Sequence, residues 1–255
     1  MGERYWEVDA VRGIALIGMI VYHLLACMVI FHMIVEDEEF LTYYGTINVA
    51  SASFVLIAGV ALILRHARRK GRTNREYYRS IVVKAVFLFV VAIGITIATW
   101  IGAMWLLDNE VFVKFGFLHM LSVSMLLCLP LLRFGKWNII PGVLVILIGI
   151  FVMPEITAPE WLYPLGIHGA EFLSTTQDYF PLFPWFGVLL VGIALGDLFY
   201  PNGIRSFRFP AAGPAGRFFA RIGNGKVTLA VYLVHIPVIF AILWVVSTVT
   251  GFGYL

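Results

Sequence analysis

Residues 81–107 form an apolar run in which Lys84 is the single charge. One helix crossing a hydrocarbon core needs ~20 consecutive apolar residues, whereas a helix on the surface of a soluble domain has to show a polar face. Comparable runs place spans at 9–31, 46–64, 81–107, 113–132, 137–153, 179–199 and 228–250. Composition agrees, because 61% of the 255 residues are hydrophobic and 13% charged, roughly half the charge of a soluble domain. The expected fold is an all-α polytopic membrane bundle of about seven transmembrane helices, one domain over 1–255. The first span has no basic segment ahead of it and no A-x-A site behind it, so it reads as a permanent span and not a cleaved leader. Residues 154–178, rich in Pro, Gly and Trp, read as an external loop with an interfacial or re-entrant turn.

Loops rich in Lys and Arg stay on the cytoplasmic side. Of the 18 basic residues, Lys114 alone falls on the opposite side from the other seventeen, which gather near the N-terminus, at 65–84, at 133–136 and at 205–226. The acidic run 36–39, Asp108, Glu110, Glu155, Glu160, Glu171 and Asp178 share the side of Lys114. The N-terminus is therefore expected in the cytoplasm and the C-terminus outside, in a multi-pass protein of the plasma membrane. The formal charge of +3 follows from this asymmetry and gives no reason to expect a nucleic-acid partner. Membrane lipid is the expected surrounding, and a homo-oligomer is compatible with it. Cys27 and Cys128 are expected at different depths, both reduced and packed.

Span one reads "VDAVRGIALIGMIVYHLL". At 100° per residue, Arg12 and His23 return to within about 20° of one face, with Asp9 some 40° aside and ~16 Å of rise between mouth and imidazole. Asp9 and Arg12 fit either an interfacial ion pair that fixes the helix end or the mouth of a polar stripe. Ionisable groups within a span are functional candidates, and His23 is the first of these. His119, in "FGFLHMLSVSMLL", and Asp178, in "DYFPLFPWFGVLLVGIALGD", sit at similar outer depth. Thr228, Tyr232 and His235 stack at i, i+4, i+7 ahead of Pro237. Each of these also suits plain hydrogen bonding between packed helices. The basic loop from Arg65 and Arg68 to Arg79 suits anionic lipid or phosphate. No Walker loop, GxGxxG, HExxH, CxxC or zinc spacing is present, and the acidic run with His23 and His32 is read as solvated, so no metal is expected.

The ordered segments "RYWEVDAVRGIALIGMIVYHLL", "FVLIAGVALIL", "FGFLHMLSVSMLL", "DYFPLFPWFGVLLVGIALG" and "IGNGKVTLAVYLVHIPV" resemble the prokaryotic relatives of the heparan-α-glucosaminide N-acetyltransferase catalytic domain. The opening Asp, Arg-Gly and His are also similar to the O-antigen-type membrane acyltransferases. The resemblance implies acyl transfer from acetyl-CoA or another acyl-CoA to an amine or hydroxyl of a sugar-like or lipid-linked acceptor, with no tightly bound cofactor. It implies a catalytic histidine at His23, or at His32 as second choice. Asp9, Arg12, Arg65 and Arg68 would hold the donor's phosphates, and His119 and Asp178 would orient the base or meet the leaving group. Tyr232 and His235 are further second choices. The alternative function is a small-solute or proton-coupled transporter that uses the same His and Asp groups as relays.

Overall fold

A computed structural model of the chain describes residues 4–34, 38–69, 73–106, 110–156 and 160–253. Glu36, Asp37, Lys70, Arg72 and Asp108, which entered the charge argument, lie outside them. The described chain is helical: α1 (Trp6–Ile30), α2 (Glu38–Ala67), α3 (Asn74–Leu106), α4 (Phe117–Leu127), α5 (Ile139–Phe151), α6 (Leu182–Phe199), α7 (Pro214–Ile222) and α8 (Gly225–Thr250). Short 3-10 turns fill 129–138, 153–155, 160–165, 170–175 and 201–203. The loop expected at 154–178 is built from three of these turns, and an isolated parallel bridge joins its Thr176 to Phe112.

Among the described residues, six helices are long and apolar enough to cross a membrane: 6–30, 49–67, 75–105, 129–155, 182–199 and 225–250. The expected fourth span is α4, an apolar helix of 11 residues, only ~16 Å long at 1.5 Å per residue. Its start is fixed by the Phe112–Thr176 bridge and by the Phe180 N–H donating to the Phe115 carbonyl at 3.0 Å. Its end is fixed by Pro130, which has no N–H to continue an α-helix and disfavours α geometry in the residue before it. The chain then passes into the 3-10 turn and kinks at Gly135, whose φ of 48° is open to glycine at little cost.

Large apolar side chains face outward along the long helices, including Val83, Val90 and Ile97 on α3, Ile140 and Leu144 on α5, and Ile242 and Val249 on α8. In water such a surface would drive aggregation; in hydrocarbon it is the solvated face. The chain is a multi-pass membrane protein.

Two compact units divide the chain, Met1–Ile57 with Phe209–Leu255, and Ala58–Arg208. In the first, α1 packs on α7 and α8. A Cβ on Gly13 would collide with the Phe219 carbonyl, and one on Gly223 with the Asp9 carbonyl, so both glycines are needed for this approach. At the other end of α1, buried Cys27, Phe31 and Met33 pack with Ile239 and Leu243 of α8. In the second unit α5 lies against α6, where Gly142 abuts the Gly187 carbonyl. Tyr77, buried, closes α3 onto α2 by donating to the Leu62 carbonyl at 3.2 Å. Cys27 and Cys128 are both free and buried.

Candidate active site

His23 on α1 and His235 on α8 meet inside the first unit, with Nε2 of His235 3.2 Å from Nδ1 of His23 and ring centroids 4.8 Å apart. The backbone assigns their protons. Nδ1 of His23 lies 2.9 Å from the Met19 carbonyl, one turn back on its own helix, and a carbonyl can only accept. Nδ1 of His23 therefore carries a hydrogen. Nδ1 of His235 lies 2.7 Å from the Tyr232 carbonyl and 3.2 Å from that of Val231, so it too carries a hydrogen, and Nε2 of His235 is the acceptor. The hydrogen on Nδ1 of His23 is shared between Met19 and His235. What remains is Nε2 of His23, a lone pair that makes no hydrogen bond among the described residues.

An imidazole with one open nitrogen, held by a second group that is itself held, is an arrangement that can act as an oriented base, the logic shared by nucleophile–base–orienter triads. The Tyr22 ring meets His23 edge-on at 5.1 Å, and Tyr232 lies 5.7 Å from the His235 ring. Two residues beyond His235, Pro237 removes the N–H that would otherwise serve the Leu233 carbonyl. His235 is buried and His23 half-buried.

The same unit holds the Asp9 cluster. Arg12 Nη1 donates to Asp9 Oδ1 at 3.0 Å and to the Gly223 carbonyl at 2.9 Å, and Arg4 reaches Asp9 Oδ2 at 2.8 Å. These are the two ion pairs found among the described residues. The side chains of Asp9 and Arg12 are only 12% and 13% exposed, so removing one would strand the other in a dry setting. The ion-pair reading of this pair is the geometry present, and it locks the start of α1 to the α7–α8 junction.

In the second unit, His119 and Asp178 both serve the start of α4. The Gly116 N–H donates to Nδ1 of His119 at 3.2 Å, and the Phe117 N–H to Oδ2 of Asp178 at 3.2 Å. Accepting at Nδ1 places the neutral His119 proton on Nε2. The His119 ring stacks on Phe115 at 5.4 Å and meets Phe89 edge-on. Asp178 holds φ at 49°, a left-handed conformation that Asp tolerates better than most residues. Burial pushes its carboxyl up to about 7, against the opposing effect of the Phe117 hydrogen bond.

Of the remaining candidates, His32 is exposed just past α1 with φ 53°. Arg65 donates to the Ser80 hydroxyl at 3.2 Å, and Arg68 grips the Gly203 carbonyl through Nε and Nη2. The sequence reading placed His235 near Tyr232 and missed its partnership with His23. The available signal was that each of these spans holds a single histidine, on the face that also carries its polar groups. Helix α7 falls in the basic stretch between the expected spans 179–199 and 228–250; Pro214 in its first turn and Arg217 and Arg221 flanking Phe218 and Phe219 are its marks in the sequence.

Residues 4–237 match the model of the family described as Heparan-alpha-glucosaminide N-acetyltransferase, catalytic. No curated protein and no solved structure matches the chain.

Proposed function

We propose, because this chain belongs to the heparan-alpha-glucosaminide N-acetyltransferase catalytic family, that it moves an acetyl or longer acyl group from acyl-CoA to an amine or hydroxyl of a sugar-like or lipid-linked acceptor. The family is one of membrane acyltransferases, and the six apolar spans fit that setting; donor, acceptor and residue roles are our reading. Placement in the plasma membrane belongs to the same reading.

The observation that carries it is the His23–His235 pair with Nε2 of His23 left open. Nε2 takes the proton of the attacking N–H or O–H as the new C–N or C–O bond forms at the thioester carbonyl. The C–S bond breaks, and the same proton passes to the departing CoA thiolate. His235 accepts from Nδ1 of the imidazolium and so holds the base while it is charged. In this reading Arg65 holds the donor's phosphates, while Arg12 secures the Gly223 carbonyl and Arg68 the Gly203 carbonyl, each within its own unit. His119 and Asp178, each accepting a backbone N–H at the start of α4, are candidates to meet the leaving group, with His32 and Tyr232 as second choices.

The test is transfer of label from acetyl-CoA to a panel of amino sugars and extracted lipids by the purified chain in detergent. A pure transporter would do nothing there, since no two compartments exist. Wild type is expected to turn over and His23→Ala to lose about 10²–10⁴-fold in rate while eluting and melting normally. Full turnover by His23→Ala removes His23 from the mechanism; no consumption by wild type removes acyl-CoA.

A further inference from the structure

A cavity of about 350 Å³ opens within the unit Ala58–Arg208, where α2 and α6 end and α5 begins. Arg69, Arg133, Lys136, His66, Asp197 and Trp137 contribute to its wall. Three of these are cations. Asp197 is the one carboxylate in the wall, and it accepts from the Lys136 N–H at 2.9 Å. The left-handed turn at Gly135 makes that approach possible, because a Cβ there would collide with the Asp197 carboxylate. Arg133 and Lys136 take part in neither ion pair found among the described residues; each lies over an aromatic ring, Phe134 at 4.7 Å and Trp137 at 5.9 Å. Arg69 ties down the end of α2 through the His66 carbonyl at 3.0 Å. Nδ1 of His66 is buried without a hydrogen-bond partner among the described residues. Excess positive charge, an unpaired ring nitrogen and room for a small headgroup define a phosphate site.

The rim decides which phosphate. Trp137 is 64% exposed, and directly beyond it α5 turns Ile140, Val143, Leu144 and Leu147 outward. A cationic cavity at the ends of spanning helices, opening past an interfacial Trp onto an apolar track, has the form of one phospholipid: headgroup, glycerol level, acyl chain. We propose that this cavity holds the phosphate of an anionic membrane lipid, bound by Arg69, Arg133 and Lys136, with its chains along α5. The proposal is independent of the acyltransferase reading.

The experiment is native mass spectrometry of the full chain, incubated in detergent with equimolar phosphatidylglycerol and phosphatidylcholine. Wild type is expected to retain phosphatidylglycerol preferentially and to keep it against millimolar inorganic phosphate or CoA. Arg133→Gln with Lys136→Gln, both at exposed positions, is expected to lower retention by about tenfold or more. Arg79→Gln with Arg208→Gln, which removes the same charge outside the cavity, should leave it within about twofold. Trp137→Ala keeps every charge and should still weaken retention by about threefold. Equal loss in the control pair, no preference over phosphatidylcholine, or an unchanged Arg133/Lys136 variant overturns the proposal. Displacement by phosphate or CoA also overturns it, assigning the cavity to a soluble phosphate ester.

Discussion

The hydrogen on Nδ1 of His23 has two acceptors, Met19 and His235, and the two differ in consequence. The Met19 bond fixes the tautomer, whereas the His235 bond adds a polar acceptor from a second helix where the proposed reaction would form an imidazolium. His235→Ala is therefore expected to lower kcat by about 10–100-fold, about 1.4–2.7 kcal/mol of barrier, with KM for acyl-CoA unchanged. His235→Gln, whose amide oxygen can also accept, should recover part of that loss. A purely structural role would instead lower melting temperature and move both constants together. Asp178 poses a different question, since its carboxyl is raised from an ordinary 3.8 to about 7 by burial. A raised carboxylate favours the protonated folded state, so its stabilisation is complete below pH 3.8 and is lost as pH rises through about 7. Melting in detergent should fall by several degrees between pH 5 and pH 8, at ~2–4 °C per kcal/mol for a chain of this size. Asp178→Asn, which still accepts from Phe117, should flatten that slope; an unchanged slope would place the titrating group elsewhere.

At the scale of elements, the contact of α1 with α7 depends on two glycines, where backbone meets backbone and no side chain can move aside. Gly13→Ala should cost about 2 kcal/mol or more, because the colliding atom is the Phe219 carbonyl. Gly94→Ala on α3 meets nothing within 4 Å and should be neutral or slightly stabilising, in line with the helix propensity of Ala. Thermal melts of the two variants check the contrast. Most spans were legible as hydropathy: the runs 9–31, 179–199 and 228–250 end within a few residues of α1, α6 and α8. The run 113–132 is longer than the helix it holds, because hydropathy registers apolar length but not the hydrogen bonds of Phe112, Phe115 and Thr176, which draw four residues out of the helix before α4 begins. The site was half legible. His23 stood out as an imidazole in hydrocarbon, and the Asp9–Arg12 pair as a helix spacing. The pairing of His23 with His235 was not, since 212 residues separate them and only tertiary packing joins α1 to α8.

For the molecule as a whole, orientation is where charge makes its sharpest prediction. Seventeen of 18 basic residues fall on one side of the expected spans, which predicts the turn of Arg133 in the cytoplasm and the turn of Trp161 outside. Both positions are exposed, and the native cysteines are buried. In intact cells, an impermeant thiol reagent should label Trp161→Cys at once and Arg133→Cys only after permeabilisation. The reverse pattern would invert the protein and put the cavity at Arg133 in the opposite leaflet.

Each imidazole of the pair is tethered by Nδ1 to a carbonyl of its own helix. Neither ring can turn over without giving up that tether. Sliding α1 along α8 would stretch the gap between the rings, yet the nitrogen that His23 offers would stay the same. Which nitrogen of His23 is left open is thus written locally, in one turn of one helix, while the second bond to that ring is left to the neighbour, and motions of the bundle can change the second without disturbing the first.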